Sequence, residues 1–264
     1  MKISEMKQLK TQKSVLALGM FDGVHIGHQL LLQRAKALAR QQNVPLVACT
    51  FTEHPMKLIS PDRCPPGLTT LEERADIMQA QGVDVLCLQS FGKEMMMESP
   101  ETYIQELCAR FQPLFIVVGY NFTFGRAGEG NAELLHALGH EFGFSTEIVP
   151  QIVYGGQEIS STVIRGMLDE GNVVDARELL GYAYGRTADV EKQTGGRLTL
   201  QFRDDEKQAL PFGRYRVMLE TENDGRVPAL CEVTEGGQAA LQIAGKKQLD
   251  SPVMVRFYQH DQAR

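Results

Sequence analysis

The sequence predicts an α/β protein in two parts: a parallel sheet covered on both faces over residues 1–183, and a small antiparallel, barrel-like domain over residues 184–264. Two observations carry that expectation. Up to Gly181 apolar strand runs alternate with helical patterns at intervals of about 30 residues, the rhythm of parallel strands joined by crossover helices. Beyond it the pattern shortens to a period of two, punctuated by turn residues, as in a closed sheet of short strands.

The elements follow in order. SVLALGMF (14–21) is a strand run, and GHQLLLQRAKALARQQ (27–42) follows with Leu31, Ala35 and Leu38 on one helical face. PLVACTF (45–51) is the next strand, closed by the loop SPDRCPPG. TLEERADIMQAQG (70–82) groups Leu71, Ala75 and Met78 before the strand VDVLCLQ (83–89). PETYIQELCARF (100–111) has proline at a helix start and leads to PLFIVVG (113–119). NAELLHALGHEFG (131–143) then precedes STEIVP (145–150). In the second part RLTLQF, RYRVMLE, PALCEV and PVMVRFY alternate, separated by TGG, NDG and EGG.

Composition narrows the function classes. The chain of 264 residues is 43% hydrophobic and 23% charged, which excludes disorder and coiled coil and supplies apolar material for a core. No apolar run reaches the ~20 residues of a membrane span, and the polar start MKISEMKQLKTQK reads as no secretory signal. The five cysteines form no CxxC pair and no even framework: Cys49, Cys87 and Cys108 read as core thiols and Cys64 as a loop residue. A reduced, cytoplasmic setting is expected. The net charge of −6 belongs to residues 1–183, with 15 Lys/Arg against 21 Asp/Glu, while residues 184–264 balance at 12 against 12. Neither part has a nucleic-acid binder's basic surplus, so no nucleic-acid or membrane partner is expected, and protein partners stay open. A small phosphorylated ligand fits, because backbone NH groups and a few placed cations hold phosphate in an acidic protein.

The strongest local signal is GMFDGVHIGH (19–28). A strand ends, glycines open the turn, and a helix begins near Gly27, presenting unpaired NH groups and a partial positive charge. Gly19 and Gly23 permit close backbone approach, His25 and His28 can flank one phosphate, and Asp22 can orient the turn or help hold a cation. A zinc site is a poor account of the histidines, since no further ligands stand at metal spacing.

GMFDGVHIGH resembles the HxGH signature of the nucleotidyltransferase superfamily. With TFTEHP (50–55), VVGYNFTFG (117–125) and ISSTVIRGMLDEGNVVDARELLG (159–181), it makes residues 14–183 similar to the FMN adenylyltransferase module of bacterial bifunctional riboflavin kinase/FAD synthetases. The resemblance implies a Rossmann-like nucleotidyltransferase domain over 1–183 that adenylylates FMN with ATP and Mg²⁺, giving FAD and pyrophosphate. It implies catalytic roles for His25, His28 and Arg165. ATP contacts would come from Gly19, Phe21, Asp22, Gly27, His28, Ser160, Ser161, Thr162 and Arg165. FMN contacts would come from Thr50, Phe51, His54, Pro55, Asn121, Phe122, Phe124 and Arg126. The residues read the same way physically. His54 stands at the carboxyl edge of a strand, where open α/β sheets bind ligands. SSTVIR (160–165) opens a helix with hydroxyls and places an arginine one turn in.

Three departures from the family pattern stand out. Glu53 takes the place of a proline before His54, bringing negative charge near an anionic acceptor. Val163 replaces the first arginine of SSTRIR. Residues 184–264 begin like the riboflavin kinase domain, but EKQTGGRLTL stands where its GxPTAN-type segment belongs, and the chain stops before the later catalytic glutamate and closing helix. The expectation is an FAD synthetase with a degenerate barrel and no kinase activity. The alternatives are a non-catalytic flavin- or nucleotide-binding module and a nucleotidyltransferase with another phosphorylated acceptor.

Overall fold

Residues 14–18 are buried along their whole length, and so are 46–50, as strands inside a doubly covered sheet must be. In the computed structural model, which describes residues 1–194, 196–203, 206–221, 225–234, 238–243 and 249–261, they are the centre of the first of two packing units. This unit comprises Met1–Pro65 and Leu71–Gly156. Its chain runs β1 (Lys2–Glu5), β2 (Ser14–Leu18), α1 (Ile26–Gln42), β3 (Leu46–Phe51), α2 (Met56–Ile59) and α3 (Leu71–Ala80). It continues through β4 (Val85–Gln89), α4 (Lys93–Met96), α5 (Pro100–Phe111), β5 (Pro113–Gly119), α6 (Ala132–Phe142), β6 (Ser145–Val149) and the two-residue β7 (Val153–Tyr154).

The six strands β1 to β6 are parallel in the order β1-β4-β3-β2-β5-β6. The alternation along β2 builds both layers. Val15 and Ala17 pack with Leu31, Leu32 and Ala35 of α1 and Ala75 and Met78 of α3, whereas Leu16 and Leu18 pack with Ile104 and Leu107 of α5 and Leu135 and Leu138 of α6. From β2 the chain moves outward to β3 and β4, then returns to place β5 on β2's other side. That reversal opens a crevice at the carboxyl ends of β2 and β5.

Helix boundaries follow their local signals. Ser99 accepts from the Thr102 NH ahead of Pro100, and Asn131 accepts from the Leu134 NH to start α6. Two expectations need correction. The strand predicted over 14–21 stops at Leu18, because Phe21 and Gly23 turn left-handed to feed the helix. The polar N-terminus also contributes an edge strand, with Lys2–Glu5 hydrogen-bonding beside β4. An exposed edge strand needs little apolar sequence, so alternation did not reveal it.

The second unit comprises Pro66–Thr70 and Gln157–Arg264. It contains β8 (Gln157–Glu158), α7 (Ser161–Asp169), α8 (Val173–Leu180), β9 (Gly185–Thr194), β10 (Arg197–Phe202), β11 (Gly213–Thr221), β12 (Gly225–Val233), β13 (Gln238–Ile243) and β14 (Val253–Asp261). Strands β9 to β14 close an antiparallel barrel in the order β10-β13-β12-β11-β14-β9. Every second residue points inward: Ala239, Leu241 and Ile243 of β13 face the same core as Leu198, Leu200, Val217, Leu219, Val255 and Phe257. Parts of the TGG, NDG and EGG turns (Gly195, Asn223, Asp224 and 235–237) lie outside the described residues. Helix α8 packs on β14, so packing divides the chain after Gly156, ahead of the change in sequence texture near residue 183. The five cysteines are thiols; Cys49, Cys87 and Cys231 are buried, and Cys108, expected in the core, is half-buried on α5.

Candidate active site

The turn between β2 and α1 is held in a conformation that side chains seldom adopt. Phe21 has φ 52° and Val24 has φ 35°, while Gly23 at φ 73° takes the same region without a Cβ penalty. A bulky aromatic and a β-branched residue in the left-handed region each cost about 1–3 kcal/mol. Burial holds them there: Phe21 and Val24 are fully enclosed in the core beneath α1.

The turn delivers the two histidines together. Their rings stack with centroids 3.7 Å apart and planes 17° from parallel, and the edge of Phe21 meets His28 at 5.3 Å. His25 is the N-cap of α1, its Nδ1 accepting from the His28 NH at 3.4 Å. An Nδ1 that accepts cannot carry the proton, so the neutral ring keeps its hydrogen on Nε2, where it can donate. Gly27 makes the fold-back possible, since a Cβ there would stand 3.1 Å from His25 Nδ1. Burial lowers the His25 pKa to about 4 against the opposing pull of Asp22. His28 is driven well below its usual range by burial, then by His25 and Arg74. Its Nδ1 is enclosed without a hydrogen-bond partner. At neutral pH the pair is therefore two uncharged rings at a helix N-terminus.

Residues from β3 support this turn. Thr50 is buried and its hydroxyl donates to the Met20 carbonyl at 2.8 Å, so it acts from beneath the site rather than lining a cleft. Phe51 meets Phe91 edge to face at 5.5 Å. Just ahead of α2, whose N-cap is Pro55, the His54 Nδ1 accepts from the Met56 NH at 3.1 Å. Glu53 is exposed and pairs with Lys57 at 3.4 Å. From the end of β5, Asn121 is exposed, and Phe122 and Phe124 stack at 5.6 Å. The loop after them is closed by paired Phe124–Gly130 backbone bonds, with Arg126 in an exposed ion pair with Glu129 at 3.2 Å. Gly125 has φ +73°, and a Cβ on it would lie 2.6 Å from the Pro100 nitrogen.

In the second unit, Ser160 caps α7 by accepting from the Val163 NH at 3.3 Å. Ser161 and Thr162 occupy the first turn, and the Arg165 Nε donates to the Pro66 carbonyl at 2.7 Å. Sequence reasoning missed Arg74, which is buried on α3 and acts on His28. Its only signal was a charged residue adjoining the apolar face of Leu71, Ala75 and Met78.

A family model described as FAD synthetase matches residues 7–163. The bifunctional riboflavin kinase/FMN adenylyltransferase of Escherichia coli K12 is 34% identical over 184 residues, covering 69% of this chain and 58% of that protein. The protein of the same description from Listeria monocytogenes is 32% identical over 219 residues, covering 80% of this chain and 69% of its own length. The chain thus spans less than two thirds of the Escherichia coli relative. A crystal structure described as a macrolide-efflux protein from Streptococcus pneumoniae covers 100% of this chain and 92% of its own, with a TM-score of 0.83 and 27% identity.

Proposed function

The chain belongs to the FAD synthetase family, and from that premise we propose that it is an FMN adenylyltransferase, moving the AMP of ATP onto FMN with release of pyrophosphate. The observation that carries this reading is the stacked His25–His28 pair, presented by a strained, buried turn at a helix N-terminus. A phosphate oxygen of FMN attacks the ATP α-phosphorus as the bond to pyrophosphate breaks. The attacking oxygen is already ionised, so no protein nucleophile or general base is needed; positioning and charge stabilisation do the work. We assign the Nε2–H of His25 and the His28 imidazole to the transferring phosphoryl group, as donors set in place before the reaction.

Gly19, Phe21, Asp22 and Gly27 shape that turn, and Ser160, Ser161, Thr162 and Arg165 are the proposed ligands of the remaining ATP phosphates. Phe51, His54, Pro55, Asn121, Phe122, Phe124 and Arg126 are the proposed acceptor residues, with Thr50 behind them. Mg²⁺ would arrive on the ATP phosphates as part of the substrate; among the described residues no three His, Cys, Asp or Glu side chains gather around a metal position. We assign adenylyl transfer to residues 1–183 and no riboflavin kinase activity to residues 184–264, on the missing GxPTAN-type segment. No helix of the described chain is long and apolar enough to cross a membrane, and the proposed setting is the cytoplasm.

The second reading, binding without turnover, draws on Glu53 and Val163, two departures from the family's charge pattern. One assay separates them. Purified protein with FMN, α-labelled ATP and Mg²⁺ is expected to form labelled FAD, and His28→Ala is expected to lower kcat by about 10²–10³ with little change in ATP affinity. Bound FMN with no FAD would establish the second reading, and a His28→Ala enzyme of unchanged kcat would remove the histidine's role.

A further inference from the structure

Arg74 is an expensive residue to bury on a helix face that a leucine or methionine would fill at lower cost. Only 8% of it is exposed. Its Nη1 donates to Thr50 Oγ1 at 3.2 Å and to the Phe51 carbonyl at 3.0 Å, both at the carboxyl end of β3. The Thr50 hydroxyl, accepting from Arg74, donates onward to the Met20 carbonyl at 2.8 Å, inside the strained turn. A threonine hydroxyl has one hydrogen to give, so this relay fixes its direction. Helix α3 also packs against the Asp22–Val24 segment of that turn. The charged and titratable groups acting on His28 are His25 of its own turn and Arg74 of α3, while Asp22 acts on His25.

We infer that Arg74 is a positioning residue of the proposed adenylyl-transfer site: it clamps the end of β3 and fixes through Thr50 the turn that presents His25 and His28. The inference rests on the function proposed above only for its kinetic readout. The clamp explains how Phe21 and Val24 stay in a disfavoured conformation, since the Met20 carbonyl just ahead of them is tied down.

Three substitutions divide the role. Arg74→Met removes charge and hydrogen bonds, Arg74→Lys keeps the charge but not the guanidinium whose Nη1 makes both bonds, and Thr50→Val removes the relay hydroxyl. With FMN and Mg-ATP, Arg74→Met is expected to lose about 10²-fold in kcat with the ATP KM within about threefold, since small misplacements cost this much. Arg74→Lys is expected to recover about tenfold of that loss, and Thr50→Val to lose about tenfold. In the free protein, the His28 imidazole titration followed by NMR is expected to move upward in Arg74→Met and to stay in place in Arg74→Lys. Wild-type kcat in Arg74→Met or in Thr50→Val overturns the clamp. Equal losses in Arg74→Met and Arg74→Lys, with an unmoved His28 titration, mark a merely structural arginine and overturn the inference. Should Arg74→Met fail to fold, Arg74→Lys and Thr50→Val decide the clamp: wild-type kcat in either overturns it. Should the wild type form no FAD, the functional reading fails by itself, and the His28 titration still judges Arg74.

Discussion

His25 does two jobs with one ring, capping α1 through Nδ1 and offering Nε2–H outward. The cap requires the neutral form, because a proton on Nδ1 would abolish the acceptor. Burial supplies it by lowering the pKa from 6.5 to about 4. The sign of the stability effect follows. The unfolded histidine takes up a proton near pH 6.5 and the folded one only near pH 4, so stability is fully present above about 6.5 and is lost as pH falls through that window. The whole loss is about 3 kcal/mol at 1.36 kcal/mol per pKa unit. Urea unfolding at pH 7.5 and pH 4.5 is expected to show it in the wild type and to show a smaller drop in His25→Gln. The same pH dependence in both proteins would refute the assignment to His25.

At the scale of elements, the loop from β3 into α2 combines a histidine bonded to the backbone with a charge that a phosphorylated acceptor would oppose. His54 is tied to the Met56 NH, and Glu53 is paired at 3.4 Å with Lys57, one turn on. The carboxylate is exposed, so solvent and salt screen it and its effect on a bound dianion is modest. Glu53→Pro is expected to tighten FMN binding by about two- to fivefold at low salt and less at high salt, on that screening. Equal FMN affinities for the two proteins at every salt concentration would place Glu53 outside the acceptor's field. The neighbouring loop over 124–130 is more closed than its polar, glycine-rich sequence suggests, because backbone bonds between Phe124 and Gly130 pin its ends. Periodicity cannot register two such bonds.

At the scale of the whole molecule, the chain carries the turn of His25 and His28 on a parallel sheet in one unit, and in the other a closed barrel whose interior is filled by side chains such as Leu200, Leu219 and Phe257. Phosphorylating riboflavin needs a second phosphate cradle and a base to activate a neutral hydroxyl. The expected outcome is that riboflavin with ATP and Mg²⁺ gives no FMN, while FMN under the same conditions gives FAD. FMN accumulating in proportion to protein would return a kinase site to the molecule, and its disappearance on removing residues 184–264 would locate that site in the barrel.

The sequence by itself determined the strand–helix alternation of the first part, the strand pairing class of the second, and the HxGH turn. Each is written locally, in a period of 3.6 or 2, a cap, or a glycine beside a histidine. Tertiary structure decided the rest. It recruited Lys2–Glu5 as an edge strand because β4 offered an unpaired edge, and it placed α7 and α8 with the barrel through the packing of α8 on β14. It also turned Thr50 from an expected cleft residue into a buried relay, and brought Arg74, 46 positions after His28, to act on that ring. Contacts between residues far apart in sequence follow from how strands and helices pack, and no local pattern encodes that packing.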